Sequence, residues 1–99
     1  MTRWAVVFTD RDEMLAVRSE KKLRDAHVAF AKAHSKLLIG GGLKPDVDAE
    51  FSGALWIVEA EKKSEVEQLI RADPFFFPEY RSYQIYTWGK ILEGQTTVL

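Results

Sequence analysis

The sequence predicts an α+β domain in which an antiparallel sheet carries two helices on one face. Three observations predict it. Apolar runs rich in valine, isoleucine and aromatic residues occur four times, each bounded by charge, glycine or a turn-rich stretch. Segments with apolar residues at spacings of three and four lie after the first run and after the third. Between the second and third runs there is only a short polar connection, too short for a helix.

The elements follow in order. Trp4 to Thr9 is a strand, closed by Asp10-Arg11-Asp12-Glu13. Ser19 to Ser35 is a helix whose expected buried stripe is Leu23, Ala26, Phe30, Ala33 and Leu37; Met14 to Arg18 could add a preceding turn. Leu37 to Gly41 is a second strand, ended by Gly40-Gly41-Gly42. Lys44 to Glu50, with one proline and three acidic residues, is a connection. Phe51 to Glu59 is a third strand. A second helix is expected to start at an S-x-x-E capping box, Ser64 and Glu67, with Val66, Leu69 and Ile70 buried. Pro74 stops it, because proline lacks an N–H and pushes the residue before it out of the α region. Tyr83 to Ile91 is the last strand. The order is that of the ferredoxin-like βαββαβ unit.

Composition narrows the classes of function. Ninety-nine residues make one domain, residues 1–99, and 46% hydrophobic content is globular. Fourteen basic and fifteen acidic side chains give a net charge of -1, which offers nothing to nucleic acid or an anionic membrane. The absence of cysteine excludes a disulfide scaffold, a thiol nucleophile and a Cys-based zinc site. The first apolar run is too short for a signal peptide or a membrane span, so a cytoplasmic location is the expectation.

The strands are apolar on both parities. Trp4, Val6 and Phe8 face one way, Ala5 and Val7 the other; Trp56 and Val58 oppose Leu55 and Ile57; Tyr83 and Ile85 oppose Tyr86 and Trp88. A sheet with helices on one face should be polar on the other. The expectation is therefore a homodimer packed sheet to sheet, with Trp56, Tyr86 and Trp88 among the candidates for the second cover. The alternative is a monomer with scattered surface aromatics.

Two residues sit where stability alone would not place them. His27 lies on or beside the core-facing stripe of the first helix, where an imidazole can exchange one proton near neutral pH. The plain alternative is a core-edge histidine with a hydrogen-bond partner. Asp73 ends the second helix, where an acid opposes the helix dipole at a cost of about 0.3–1 kcal/mol. Either it bonds its own backbone in a turn or it orients His27. Arg24, one turn before His27, is the candidate anion binder, against a solvated arginine on the polar face. Gly41, in the triple glycine, is the candidate backbone contact for a ligand; the glycines are expected to allow positive φ and close approach. They lack phosphate-loop spacing. His34 is two turns beyond His27, about 10 Å along the axis, so the two are no metal pair; neither metal nor cofactor is expected.

These segments together, Arg24-Asp25-Ala26-His27-Val28-Ala29-Phe30, Leu37-Leu38-Ile39-Gly40-Gly41-Gly42, Phe51 to Val58 and Ala72-Asp73-Pro74-Phe75, resemble in order and spacing the YCII family. The resemblance runs from about Trp4 to Ile91. It implies a dimeric α+β barrel and makes the histidine and aspartate an active-site pair in a cleft, in a family where most members have no assigned substrate. The chain departs from the pattern twice. Three glycines and Leu43 replace a small residue, Gly, Pro ending, and Phe75-Phe76-Phe77-Pro78 is bulkier than the usual glycine-containing loop.

No nucleophile elbow or glycosidase-like carboxylate pair is present, which leaves general acid–base chemistry. The first reading is an enzyme of isomerase or lyase type acting on a small aromatic or enolic anion, with His27 as base or acid and Asp73 as its orienter. The second is a non-catalytic module that binds a small ligand in the same cleft. The third is an accessory dimer with no ligand.

Overall fold

The computed structural model describes residues 1–99. The elements are β1 (Thr2–Asp10), α1 (Met14–Ser19), α2 (Lys21–Ala33), β2 (Leu37–Leu43), β3 (Gly53–Ala60), α3 (Lys63–Ala72) and β4 (Arg81–Thr87). The four strands form one antiparallel sheet in the order β2-β3-β1-β4, the arrangement of the ferredoxin-like unit.

Register decides which residues are covered. Val6 stands opposite Trp56 and Ile85, and Phe8 opposite Ala54 and Tyr83. These side chains share the face on which Phe30 of α2 and Val66, Leu69 and Ile70 of α3 pack, and together they form the main core. A second small core, Met14, Val17 and Phe75, joins α1 to the segment after α3. Ala5, Val7, Leu55, Ile57, Ile39 and Tyr86 lie on the other face, by the same alternation. Leu55, Ile39 and Tyr86 are exposed there. Trp56 is in the core, 2% exposed, so it cannot contribute to a second cover of the sheet. Its position on an even parity with Val58 puts it under the helices.

Several local expectations are corrected. The first helical region is two helices, because Glu20 is extended (φ -74°, ψ 112°). The break lets α1 bury Met14 and Val17 against Phe75 while α2 turns Phe30 to the sheet. The inward stripe of α2 is Leu23, His27, Phe30, Ala31 and His34; Ala26 and Ala33 are exposed, and Leu37 already belongs to β2. The capping box does not form. α3 begins at Lys63, so Ser64 lies inside its first turn, and Glu65 instead accepts the backbone N–H of Glu61 at 3.3 Å. The three glycines lie within β2, and no glycine has positive φ. β4 ends at Thr87, short of the expected Ile91.

Gly53 is required by close approach. A Cβ there would stand 2.1 Å from the carbonyl oxygen of Phe8, inside the β1–β3 ladder.

Candidate active site

β2 contributes Gly40 and Gly42 to the helix-covered face, opposite Trp56 and Ala54. Neither glycine sends a side chain into the space between α2 and the sheet edge. A cavity of about 390 Å³ lies between α2, β2 and β3, with His27, Trp56, Phe75, Arg18 and Arg81 on its walls. A Cβ on Gly40 would come within 2.9 Å of the Trp56 ring, and one on Gly42 within 2.5 Å of the Phe51 ring. Gly41 also borders the cavity, but it is paired with Leu55 on the open face, and a Cβ there would meet nothing within 4 Å. The absent side chains of Gly40 and Gly42 thus make room for the Trp56 and Phe51 rings, and on the β2 wall the cavity is bordered at these positions by backbone.

His27 reaches the cavity from the middle of α2, and Asp73 meets it from the C-terminal end of α3. Pro74 holds Asp73 extended (φ -68°, ψ 130°), which turns its side chain back toward α2. The Nδ1–H of His27 donates to Asp73 Oδ1 at 2.6 Å, since a carboxylate can only accept. The same oxygen accepts the backbone N–H of Phe75 at 3.0 Å. Both roles weighed for Asp73, turn former and histidine partner, are filled by one atom. The carboxylate is 2% exposed and the imidazole 26%. The His27 ring lies flat on Phe75, centroids 4.0 Å apart and planes 3° from parallel. Held at Nδ1 and on one face, the imidazole has Nε2 left to take or give a proton.

Arg24 is exposed and does not border the cavity. The cations there are Arg18, Arg81 and the exposed Lys32 of α2, none of them expected from the sequence; Arg18 and Arg81 are held in one cluster. Asp10 and Arg81 are paired across β1 and β4. Arg81 grips Asp10 with two bonds, Nε to Oδ1 at 2.7 Å and Nη2 to Oδ2 at 3.0 Å. Arg18, from α1, reaches the same carboxylate more loosely, Nη2 to Oδ2 at 3.3 Å, and donates to the Gly53 carbonyl at 2.8 Å. Its Nε is buried with no partner, and its guanidinium lies over the Phe51 ring, 4.6 Å from the centroid. Burial, and then the neighbouring charge of Arg81, push the Arg18 pKa below its ordinary value, against the opposing pull of Asp10. The signal for this cluster is topological. Asp10 is one of several charges ending a strand, and only the β1–β4 register singles it out.

His34, the other histidine, contacts the Phe30 carbonyl through Nδ1 at 2.7 Å. No group of three or more His, Cys, Asp or Glu side chains is placed to hold a metal ion. No helix is long and apolar enough to cross a membrane.

Comparison with known proteins places the fold. The model of the YCII-related domain matches residues 2–89. A similar solved structure is 5-chloro-2-hydroxyhydroquinone dehydrochlorinase (TftG) from Burkholderia phenoliruptrix AC1100, in complex with 2,5-dihydroxybenzoquinone. It superposes with a TM-score of 0.73 at 24% identity, over 88% of this chain and 93% of that one. No curated protein sequence matches the chain.

Proposed function

This chain belongs to the YCII-related domain family, and on that footing we propose that it is an enzyme of isomerase or lyase type. It moves a proton on a small planar molecule, with His27 as the base and acid and Asp73 as the residue that holds the ring. The observation that carries this reading is the 2.6 Å bond from His27 Nδ1–H to a carboxylate almost wholly buried beside an open cavity. That bond selects the tautomer whose Nε2 carries a lone pair, and the negative charge stabilises the imidazolium once Nε2 has taken a proton. Stacking on Phe75 restrains the ring's rotation.

The chemistry follows from that lone pair. A C–H or O–H proton passes to Nε2, and its bonding electrons move into the substrate. In an isomerisation the imidazolium returns the proton to a different atom. In an elimination the electrons form a double bond and a leaving group departs with its own bonding pair. The aromatic walls, Trp56 and Phe75, suit a flat ring. The similar structure is that of a dehydrochlorinase acting on a small aromatic compound, which supports a reaction of this kind.

We place this site in a single domain of 99 residues that works as a homodimer, the apolar open face of the sheet being covered by a second copy. The test is turnover of a panel of small enols, lactones and substituted phenols. Wild type should convert at least one, and His27→Ala none. If no compound is converted while the same compounds bind, the chain is a binding module and the catalytic reading fails.

A further inference from the structure

The cavity wall carries three cationic side chains, Arg18, Lys32 and Arg81, and no acidic one. Behind that wall two guanidiniums share a single carboxylate, Asp10. Arg81 takes both of its oxygens at short range, so Asp10 is already committed, and Arg18 is left under-neutralised. Both hydrogen bonds of Arg18 run through Nη2. Nη1 takes no partner in the chain, and Nε is buried without one. The Arg18 side chain is 17% exposed, but its Nε is shut off from solvent, and natural structures leave few buried polar atoms without a partner.

Arg18 borders the cavity beside Gly42, with Nη1 3.5 Å from where a Cβ would stand, a place the Phe51 ring already crowds. Phe51 covers the π-face of the guanidinium at 4.6 Å. His27 shares the same cavity.

From this the geometry points to an oxyanion subsite: Arg18, backed by Arg81 and Asp10, binds a carboxylate, phenolate or enolate oxygen of the ligand whose reacting atom lies at His27. This deepens, and rests on, the reading of the cavity as a substrate site. Asp10 and Arg81 are positioning residues here. Asp10 neutralises Arg81 and orients Arg18, and the charge left over is the one the ligand matches. A bound oxyanion supplies the acceptor that Arg18 lacks and relieves the repulsion of Arg81.

Nuclear magnetic resonance titrations with benzoate, and with its neutral isostere benzamide, test the subsite without turnover. They follow the indole N–H of Trp56 and the Nε–H of Arg18. Benzoate should give saturable shifts of both, with benzamide binding at least about tenfold more weakly, the loss expected when a charge-assisted hydrogen bond is removed. Arg18→Met should weaken benzoate by a similar factor, and Arg18→Lys by less. Equal affinity for benzoate and benzamide, an unmoved Arg18 Nε–H, or full affinity in Arg18→Met would overturn the proposal. So would a loss confined to His27→Ala, which would put the anion on the imidazole. If Arg18→Met does not fold, the two wild-type titrations decide alone. Loss of all turnover with benzoate binding intact would sink the catalytic reading and leave the subsite standing.

Discussion

Asp73 Oδ1 accepts two hydrogen bonds, one from a helix across the cavity and one from its own turn, and this double use sets what its replacement should do. Asp73→Asn keeps an acceptor for the Phe75 N–H but loses the charge that stabilises the imidazolium. Turnover should fall by about 10²–10⁴, the range of general acid–base and orienting-acid effects. A steady-state assay that shows less than about a threefold change would remove Asp73 from the mechanism. His27→Leu should destabilise, by about 1–3 kcal/mol, because the buried carboxylate loses a donor. The Asp10 cluster gives a sharper contrast. Asp10 and Arg81 have side chains 1% and 2% exposed. Asp10→Asn strands two guanidiniums and should cost about 3–5 kcal/mol in urea denaturation. Arg18→Met should cost nothing or raise the melting temperature. Its pKa is lowered in the folded chain, so the native state holds that proton less tightly than the unfolded one. Arg18 therefore detracts from stability at every pH below the ordinary arginine range, and stability rises only as pH climbs through the lowered value. A clear fall in melting temperature for Arg18→Met would mean that its bond to the Gly53 carbonyl outweighs that burden.

At the scale of elements, β2 has the largest consequence, since its glycines let the Trp56 and Phe51 rings lie against the strand and border the cavity. Gly40→Ala should crowd the buried Trp56 ring, narrow the site and weaken ligand binding, and its cost should reach about 1–3 kcal/mol, as overpacking does. Gly41→Ala should stay within about 1 kcal/mol of wild type, because its Cβ meets open space in the monomer. Thermal melts of the two variants should separate clearly. Equal melts would mean that the indole shifts freely and that the glycines do not shape the cavity. The alternation of β1 and β3, the Asp-Pro stop of α3 and the histidine on α2 were all legible in the sequence, because each is a local pattern with a local cause. The split between α1 and α2 was not, because Glu20 leaves the helix to satisfy two different packing partners, Phe75 and the sheet. The failed capping box has a similar origin: Ser64 has the right spacing, but α3 starts before it. Arg18 and Arg81 escaped notice because what marks them is a shared carboxylate, and sharing depends on strand order.

At the scale of the whole molecule, one sheet face is used and the other is idle. α2 and α3 cover Val6, Phe8, Trp56 and Val58, while Ala5, Val7, Ile39, Leu55 and Ile57 form an apolar surface with no cover in the monomer. Ile57 stands between Ala5 and Ile39 in the register and so lies near the centre of that face. Arg3 and Glu59, 3.6 Å apart, mark its polar border. A contiguous apolar patch with a charged rim is the pattern of an interface between copies. A two-fold axis lying in the interface, parallel to the sheet, would set the patch against itself. Wild type should therefore sediment at micromolar concentration as twice 11.3 kDa. Ile57→Glu should sediment as the monomer, because two carboxylates would be buried together at the axis. The cavity lies on the opposite face, so the Arg18–Asp10–Arg81 contacts should persist in that variant, and its benzoate titration should resemble that of wild type. A wild type that stays at 11.3 kDa would leave the open face without a partner and sink the dimer. An Ile57→Glu variant that still dimerises would move the interface to another surface, such as the exposed Leu38, Leu43 and Phe51 near the cavity mouth.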